Sequence, residues 1–264
     1  MRHELTDDEI ASYRESGFVV IEDFLDEGEL AEWREAVDEA VAARGEARLP
    51  GEEGKKFTGS NSAVFKQRLQ LWMDSDRVRK LMLDERIGKM AADLEGVDGI
   101  RVWHDQALIK TPWGNPTSWH QDNTKWSFSS DHATSIWIAL DDATPHNGCL
   151  YFVPGSHRDR YEDVATARPM ADIFEANPSL QEVDPVPAPM KAGSCSFHNG
   201  LTVHGAGANM TRGYRRAMTC AFMPDGETFN GNKNILPPDY LESLSVGDVI
   251  DNDELVPLIY KRAS

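Results

Sequence analysis

The feature that most restricts the fold is a change of texture after Gly99. Segments 100–111 (IRVWHDQALIKT), 134–143 (TSIWIALDDA), 149–154 (CLYFVP), 193–198 (GSCSFH) and 215–223 (RRAMTCAFM) are short and rich in β-branched and aromatic residues. Turn signals such as His146-Asn147-Gly148 and Asn199-Gly200 divide them. Strands of this length with no helical period between them pack as a sandwich or close into a barrel.

The residues before this point read differently. Thr6 and Glu9 form a capping box for a short helix reaching about Ser16, with Ile10 and Tyr13 at helical spacing. FVVIEDF (18–24) is β-like, and Asp26 with Glu29 opens a second helix whose stripe is Leu30, Trp33, Val37, Ala40 and Val41. A third helix is expected from Ser75 to about Leu94 through Val78, Leu81, Met82, Ile87 and Met90. No composition break divides the chain. The expectation is one domain over 1–264: a mostly helical part (1–99), an all-β core (100–225) and a C-terminal strap (226–264), acidic and weakly patterned from Gly231. DPVPAPM (184–190) reads as an internal loop.

Charge narrows the partners. With 44 acidic against 27 basic residues the formal charge is −17, the wrong sign for a nucleic-acid or anionic-membrane binder. No stretch approaches the ~20 apolar residues of a membrane span, and the N-terminus carries no apolar signal region. Three cysteines without a CxxC pair fit a reducing compartment. These features point to a soluble cytoplasmic protein that binds neither nucleic acid nor a membrane, its oligomeric state unspecified.

The chemistry centres on SWHQDNTKW (118–126), where His120 and Asp122 stand two positions apart. At a strand end, alternate side chains share a face, so the two can meet one ion. Two histidines and one carboxylate on one face of an octahedron suit an iron that must also bind a cosubstrate and O2. For the second histidine, His3 lies at a terminus and His132, His146 and His157 in turn-like segments, while His104 falls mid-strand and reads as a satisfied core residue. His198 and His204 remain. Gly205 and Gly207 favour His204 without excluding His198.

A 2-oxo acid bound to that iron needs its far carboxylate neutralised in a dry pocket, for which a planar arginine is best. Alternation sets Arg215 and Arg216 on opposite faces. Arg215 shares its face with the small residues Ala217, Thr219 and Ala221, which leave room for a ligand; Arg216 shares its own with Met218, Cys220 and Phe222.

Together, H-x-D, then TSIWIALDDATPHNGCLYFVPGSH (134–157), then HGAGANMTRGYRRAM (204–218) resemble the phytanoyl-CoA dioxygenase family of Fe(II)/2-oxoglutarate oxygenases, and LTDDEIASYRESGFVVIEDFL (5–25) is similar to that family's N-terminal segment. The resemblance implies a double-stranded β-helix (jelly roll, cupin-like) core with a helical N-terminal layer. It implies His120, Asp122 and His204 as catalytic iron ligands, with 2-oxoglutarate and O2 as cosubstrates. The family's carboxylate-binding arginine lies eleven residues beyond the distal histidine, which selects Arg215. Trp137 matches a tryptophan of the central strand that lines the cosubstrate pocket or packs the core. Gln106 and Lys110 share a face of the preceding strand and are weaker candidates for oxoglutarate contacts. Ala206 replaces a hydroxyl residue frequent in the family, a contact left to Thr219 or Gln106.

The implied reaction is oxidative decarboxylation of 2-oxoglutarate to succinate and CO2, coupled to hydroxylation of a small-molecule substrate, with desaturation or cyclisation by the same oxidant as the alternatives. Retention of Asp122 argues against halogenation, which needs that ligand position vacated. Trp113, Trp119, Trp126 and Phe128 are candidates for a substrate pocket, with core packing as the competing role for each. In the 46–80 segment, Arg48, Lys55, Lys56, Lys66, Arg68, Arg77, Arg79 and Lys80 face five acids. A solvated face is the better reading there, an anionic-substrate surface the other. Two rivals use the same three ligands: a zinc hydrolase, and a non-catalytic jelly-roll module that binds metal or oxoglutarate.

Overall fold

The computed structural model describes residues 1–52, 65–162 and 172–263. Its helices are α1 (Asp7–Ser16), α2 (Glu27–Arg44), α3 (Leu71–Asp74), α4 (Asp76–Met82), α5 (Glu85–Glu95), α6 (Asp172–Ala176) and α7 (Pro238–Ser243). The strands are β1 (Phe18–Ile21), β2 (Lys66–Leu69), β3 (Gly99–Lys110), β4 (Thr117–His120), β5 (Thr134–Ala139), β6 (Leu150–Phe152), β7 (Val186–Ala188), β8 (Cys195–Asn199), β9 (His204–Ala206), β10 (Arg215–Pro224) and β11 (Leu258–Lys261). Capping boxes on Thr6 and Asp26 start α1 and α2, as their sequences require. None of these helices is long and apolar enough to cross a membrane.

The expected 75–94 helix is interrupted. Leu83 ends α4, and Asp84 caps α5 by accepting from the Arg86 amide. A carboxylate that can satisfy a free N–H starts a new helix where hydrophobic spacing alone would run on. The segment read as an internal loop holds β7, an edge strand; its prolines are tolerated there because an edge needs no donor on its outer side.

Two antiparallel sheets form the jelly roll. The larger runs β1-β8-β5-β10-β3-β11, with β2 also on β3, and the smaller runs β4-β9-β6-β7. Strands β1, β2 and β11 lie outside the 100–225 stretch, so the main sheet draws on both flanking segments.

Register sorts the side chains of the main sheet. Pairings Arg215↔Lys110, Ala217↔Leu108, Thr219↔Gln106 and Ala221↔His104 join β10 to β3, and Ala217↔Ala139, Thr219↔Trp137 and Ala221↔Ser135 join it to β5. Ser135↔His198 and Trp137↔Ser196 extend the row to β8. The alternate residues Val102, Ala107, Ile136, Ile138, Phe197, Met218 and Cys220 pack instead against Trp33, Val37, Ile87 and Met90 of the helical layer. One face is thus a continuous apolar core. The other carries polar residues that such a core would not accept, and it faces the small sheet through Phe18, Trp137, Leu150 and Phe152.

The tail lies over one end of the main sheet. Ile250 and Val256 are buried with Trp103 and Phe128, and Arg101 donates to Asp225, Asp253 and the carbonyls of Asp251 and Val256.

Candidate metal and cosubstrate site

His120 ends β4 directly opposite His204 of β9. Asp122 reaches them by a turn: its backbone is helical (φ −65, ψ −43) at the start of a 3-10 segment, so strand alternation is not the cause of the convergence. Gln121 fixes that turn. Its buried amide donates to the carbonyls of Leu201 and Asp159 and accepts from the Tyr161 amide.

The ligand atoms of His120, Asp122 and His204 all lie within 4.8 Å of one another. Asp122 Oδ1 stands 3.4 Å from His120 Nε2 and 3.9 Å from His204 Nε2. Both rings are oriented by their other nitrogen, His120 Nδ1 2.8 Å from the Ser118 carbonyl and His204 Nδ1 2.9 Å from that of Thr202. A carbonyl only accepts, so each Nδ1 carries a proton and each Nε2 is the nitrogen turned toward the shared space. Burial, with His120 and His198 adding to it, keeps His204 well below the usual histidine range, which leaves it neutral. Burial raises the Asp122 pKa, but the neighbouring His204, His120 and His198 outweigh it and hold the carboxyl well below its ordinary value. A neutral His204 and an ionised Asp122 are in the forms a divalent metal requires.

Along the same inward face lies a second feature. Arg215 is buried, its guanidinium 5.0 Å above the Trp137 ring, with one 3.5 Å contact to the Leu108 carbonyl and Nε unpartnered. Burial lowers its pKa to about 10. Across the register sits Lys110, fully buried, its Nζ donating to the Asn115 carbonyl at 2.9 Å and Thr117 Oγ1 at 3.4 Å; burial and then the charge of Arg215 lower it to about 7. Neither cation has a carboxylate at ion-pair distance among the described residues. Arg216, by contrast, points outward and is bonded to Asp141 and Asp38. Two buried cations without a counter-charge are costly unless an anion completes them.

Between the cations and the metal cluster lie Thr219, buried, and Gln106. Arg48 Nε donates to Gln67 Oε1 at 3.1 Å, and Gln67 Nε2 to Gln106 Oε1 at 2.5 Å. Because arginine only donates, this chain has a fixed direction and leaves the Gln106 amide nitrogen as a donor. His104 is not the satisfied core residue its mid-strand position suggested. It faces inward, its Nδ1 is unpartnered, and burial lowers its pKa to about 4.

The sequence profile of the phytanoyl-CoA dioxygenase family matches residues 13–217. The chain belongs to that family. Methylphosphonate hydroxylase of Gimesia maris is 28% identical over 226 residues, covering 83% of this chain and 80% of its own. The solved structure of the non-heme alpha-ketoglutarate-dependent carbocyclase SnoK, from nogalamycin biosynthesis, is 30% identical with a TM-score of 0.80, covering 97% of this chain and 96% of its own. The epimerase SnoN in complex with Fe3+, alpha-ketoglutarate and nogalamycin RO is 28% identical with a TM-score of 0.78, covering 96% and 98%. The jelly roll expected from the family resemblance is therefore the fold of this chain, shared with SnoK and with the SnoN structure that holds Fe3+ and alpha-ketoglutarate.

The four aromatic candidates for a substrate pocket scatter. Trp126 and Phe128 are core residues: they stack at 5.3 Å, and Phe128 sets its edge on Trp103 at 5.1 Å. Trp119 packs on Phe174 and Tyr151. Trp113 is 69% exposed in a left-handed conformation (φ 62) at the β3–β4 loop. Trp119 nevertheless lies against Gly205, the neighbour of His204, and Trp126 and Phe128 share a cluster with Ala221, which pairs with Ser135.

Of the basic segment, Lys55 and Lys56 lie outside the described residues. Arg68 donates to backbone carbonyls, Arg77 pairs with Glu35 and Glu39, and Arg79 lies over Trp72. These side chains are engaged within the protein. His198, left open in the sequence as an alternative to His204, and Ser135 both lie beside Asp122, while Gln67, behind Gln106, carries no motif.

Proposed function

We propose that the chain is an Fe(II)/2-oxoglutarate-dependent dioxygenase that hydroxylates a small molecule with release of succinate and CO2. In this reading His120, Asp122 and His204 hold the iron, and Arg215 anchors the distal carboxylate of oxoglutarate. The observation that carries it is the presence, on one inward face, of a His-Asp-His cluster and two buried cations that have no carboxylate at ion-pair distance among the described residues. A zinc hydrolase would use the cluster and leave the cations unexplained.

Iron bound there would couple reduction of O2 and decarboxylation of oxoglutarate to oxidation of a substrate C–H bond. The chain's own residues do the positioning. Arg215 offers a planar pair of donors to the distal carboxylate, Trp137 holds the guanidinium plane from below, and Lys110 adds a second charge. Gln106 and Thr219 supply polar contacts along the cosubstrate, in place of the hydroxyl absent at Ala206. The walls contributed by Phe18, Leu108, Leu150 and Phe152 keep water away from the reacting centre.

A small-molecule substrate is supported by relatives whose names are a methylphosphonate hydroxylase and enzymes of nogalamycin biosynthesis. A cytoplasmic location fits three buried, unpaired cysteines. The test is turnover with each metal. Fe(II), oxoglutarate and 18O2 should give succinate carrying one labelled oxygen, and Zn(II) should give none. Activity with Zn(II) and no need for oxoglutarate would sink this reading in favour of the hydrolase.

A further inference from the structure

One buried histidine beside the metal cluster has no role in the account above. His198 is 3% exposed, sits in register with Ser135 across the β5–β8 ladder, and lies 4.5 Å from the His204 ring and 5.3 Å from that of Phe152. Neither of its ring nitrogens has a closed hydrogen bond. The polar atom it faces is Asp122 Oδ2, 3.5 Å from Nε2. Ser135 Oγ donates to the same oxygen at 3.2 Å.

The two oxygens of Asp122 therefore have different surroundings. Oδ1 faces the Nε2 atoms of His120 and His204, and Oδ2 faces Ser135 and His198. His198 is not part of the group whose ligand atoms share one small sphere, so it does not serve as a fourth ligand.

We propose that Ser135 and His198 are positioning residues that occupy Asp122 Oδ2 and so restrict Asp122 to binding metal through Oδ1 alone. The inference rests on the reading of Asp122 as a metal ligand. Its consequence follows from counting positions on an octahedral ion. Two histidines and one carboxylate oxygen leave three positions, enough for a chelating 2-oxo acid and O2. A carboxylate binding through both oxygens leaves two, and the 2-oxo acid fills them. Occupying Oδ2 with the Ser135 hydrogen bond and the facing edge of the His198 ring keeps the third position free. His198 must then carry its proton on Nε2, which leaves Nδ1 as an acceptor without a partner among the described residues.

The experiment compares wild type, Ser135→Ala, His198→Leu and His198→Gln, the last retaining an N–H donor of similar reach. Each is loaded anaerobically with Fe(II) and oxoglutarate, then titrated with nitric oxide as an O2 surrogate while the S = 3/2 electron paramagnetic resonance signal is followed. Ser135→Ala and His198→Leu are expected to bind nitric oxide about 10- to 100-fold more weakly, the range found when an outer partner of a metal ligand is lost. His198→Gln should restore most of the affinity. A merely structural role would lower thermal stability without this pattern of rescue. If His198→Leu does not fold, Ser135→Ala against His198→Gln decides, since the first must lose affinity and the second keep it. Wild-type nitric oxide affinity in Ser135→Ala or in folded His198→Leu overturns the proposal. Failure of the underlying reading looks different: Asp122→Ala would then bind Fe(II) as tightly as wild type.

Discussion

Lys110 gives a prediction whose size can be worked from the structure. Its ammonium is buried, donates among the described residues to the Asn115 carbonyl and the Thr117 hydroxyl, and lies in register with Arg215. Burial, then Arg215, lowers its pKa from 10.5 to about 7. Cys149, raised to about 11 chiefly by burial, and Arg215, at about 10, keep their protons through the neutral range. In the free protein Lys110 is therefore about nine-tenths neutral at pH 8 and about nine-tenths charged at pH 6. A bound carboxylate favours the charged form, so oxoglutarate binding should take up about 0.9 proton at pH 8 and about 0.1 at pH 6. Affinity should fall about tenfold between those values. The assay is anaerobic calorimetry of Fe(II)-loaded protein in two buffers of different ionisation enthalpy, with Lys110→Met alongside. The variant should lose the proton uptake and bind oxoglutarate about 10- to 100-fold more weakly at pH 6. Folding stability moves the other way. Because the folded pKa is depressed, the unfolded chain holds the extra proton between about pH 7 and 10.5, and the stability of the oxoglutarate-free protein should rise with pH across that window. Proton uptake unchanged in Lys110→Met, or absent from wild type, would refute the assignment of Lys110 to the anion pocket.

Arg215→Met should weaken oxoglutarate binding by about 100-fold or more while raising the melting temperature of the oxoglutarate-free protein, since a buried uncompensated charge is removed; calorimetry and thermal melts report the two, and a lowered melting temperature with unchanged affinity contradicts it. In Gly148→Ala the new Cβ would sit 2.6 Å from the Gly207 carbonyl and 2.7 Å from Lys110 Cδ at φ +92, so both stability and oxoglutarate affinity should drop. Wild-type values for both would mean that the loop yields without disturbing Lys110. Phe128→Ala should cost about 3–5 kcal/mol in urea unfolding. A change confined to substrate KM would return Phe128 to the substrate pocket. Asp122→Ala should abolish succinate formation with Fe(II), and a variant turning over at the wild-type rate removes Asp122 from the metal site.

What the sequence made legible follows from how local each cause is. Capping boxes on Thr6 and Asp26 act within four residues, and both helices start there. The opposite fates of Arg215 and Arg216 follow from strand alternation, which is geometry rather than context. The break at Leu83–Asp84 was hidden because the hydrophobic stripe continues through it, and only the capping geometry of Asp84 reveals it. The aromatic residues near His120 are a mixed case: Trp126 and Phe128 are packed into a core cluster, Trp119 lies on Tyr151 and Phe174, and Trp113 is exposed, a division that nearness in sequence does not carry. His104 looked like core because a mid-strand histidine usually is. Its inward face was already implied by its spacing from Gln106, two residues away on β3.

The most direct test of the central claim is spectroscopic. Anaerobic addition of Fe(II) and then 2-oxoglutarate to the purified protein should produce the broad visible charge-transfer band of a metal-chelated 2-oxo acid. That band should vanish in His204→Ala and need far more oxoglutarate in Arg215→Ala. An iron-loaded wild-type protein that shows no band at saturating oxoglutarate would contradict the account.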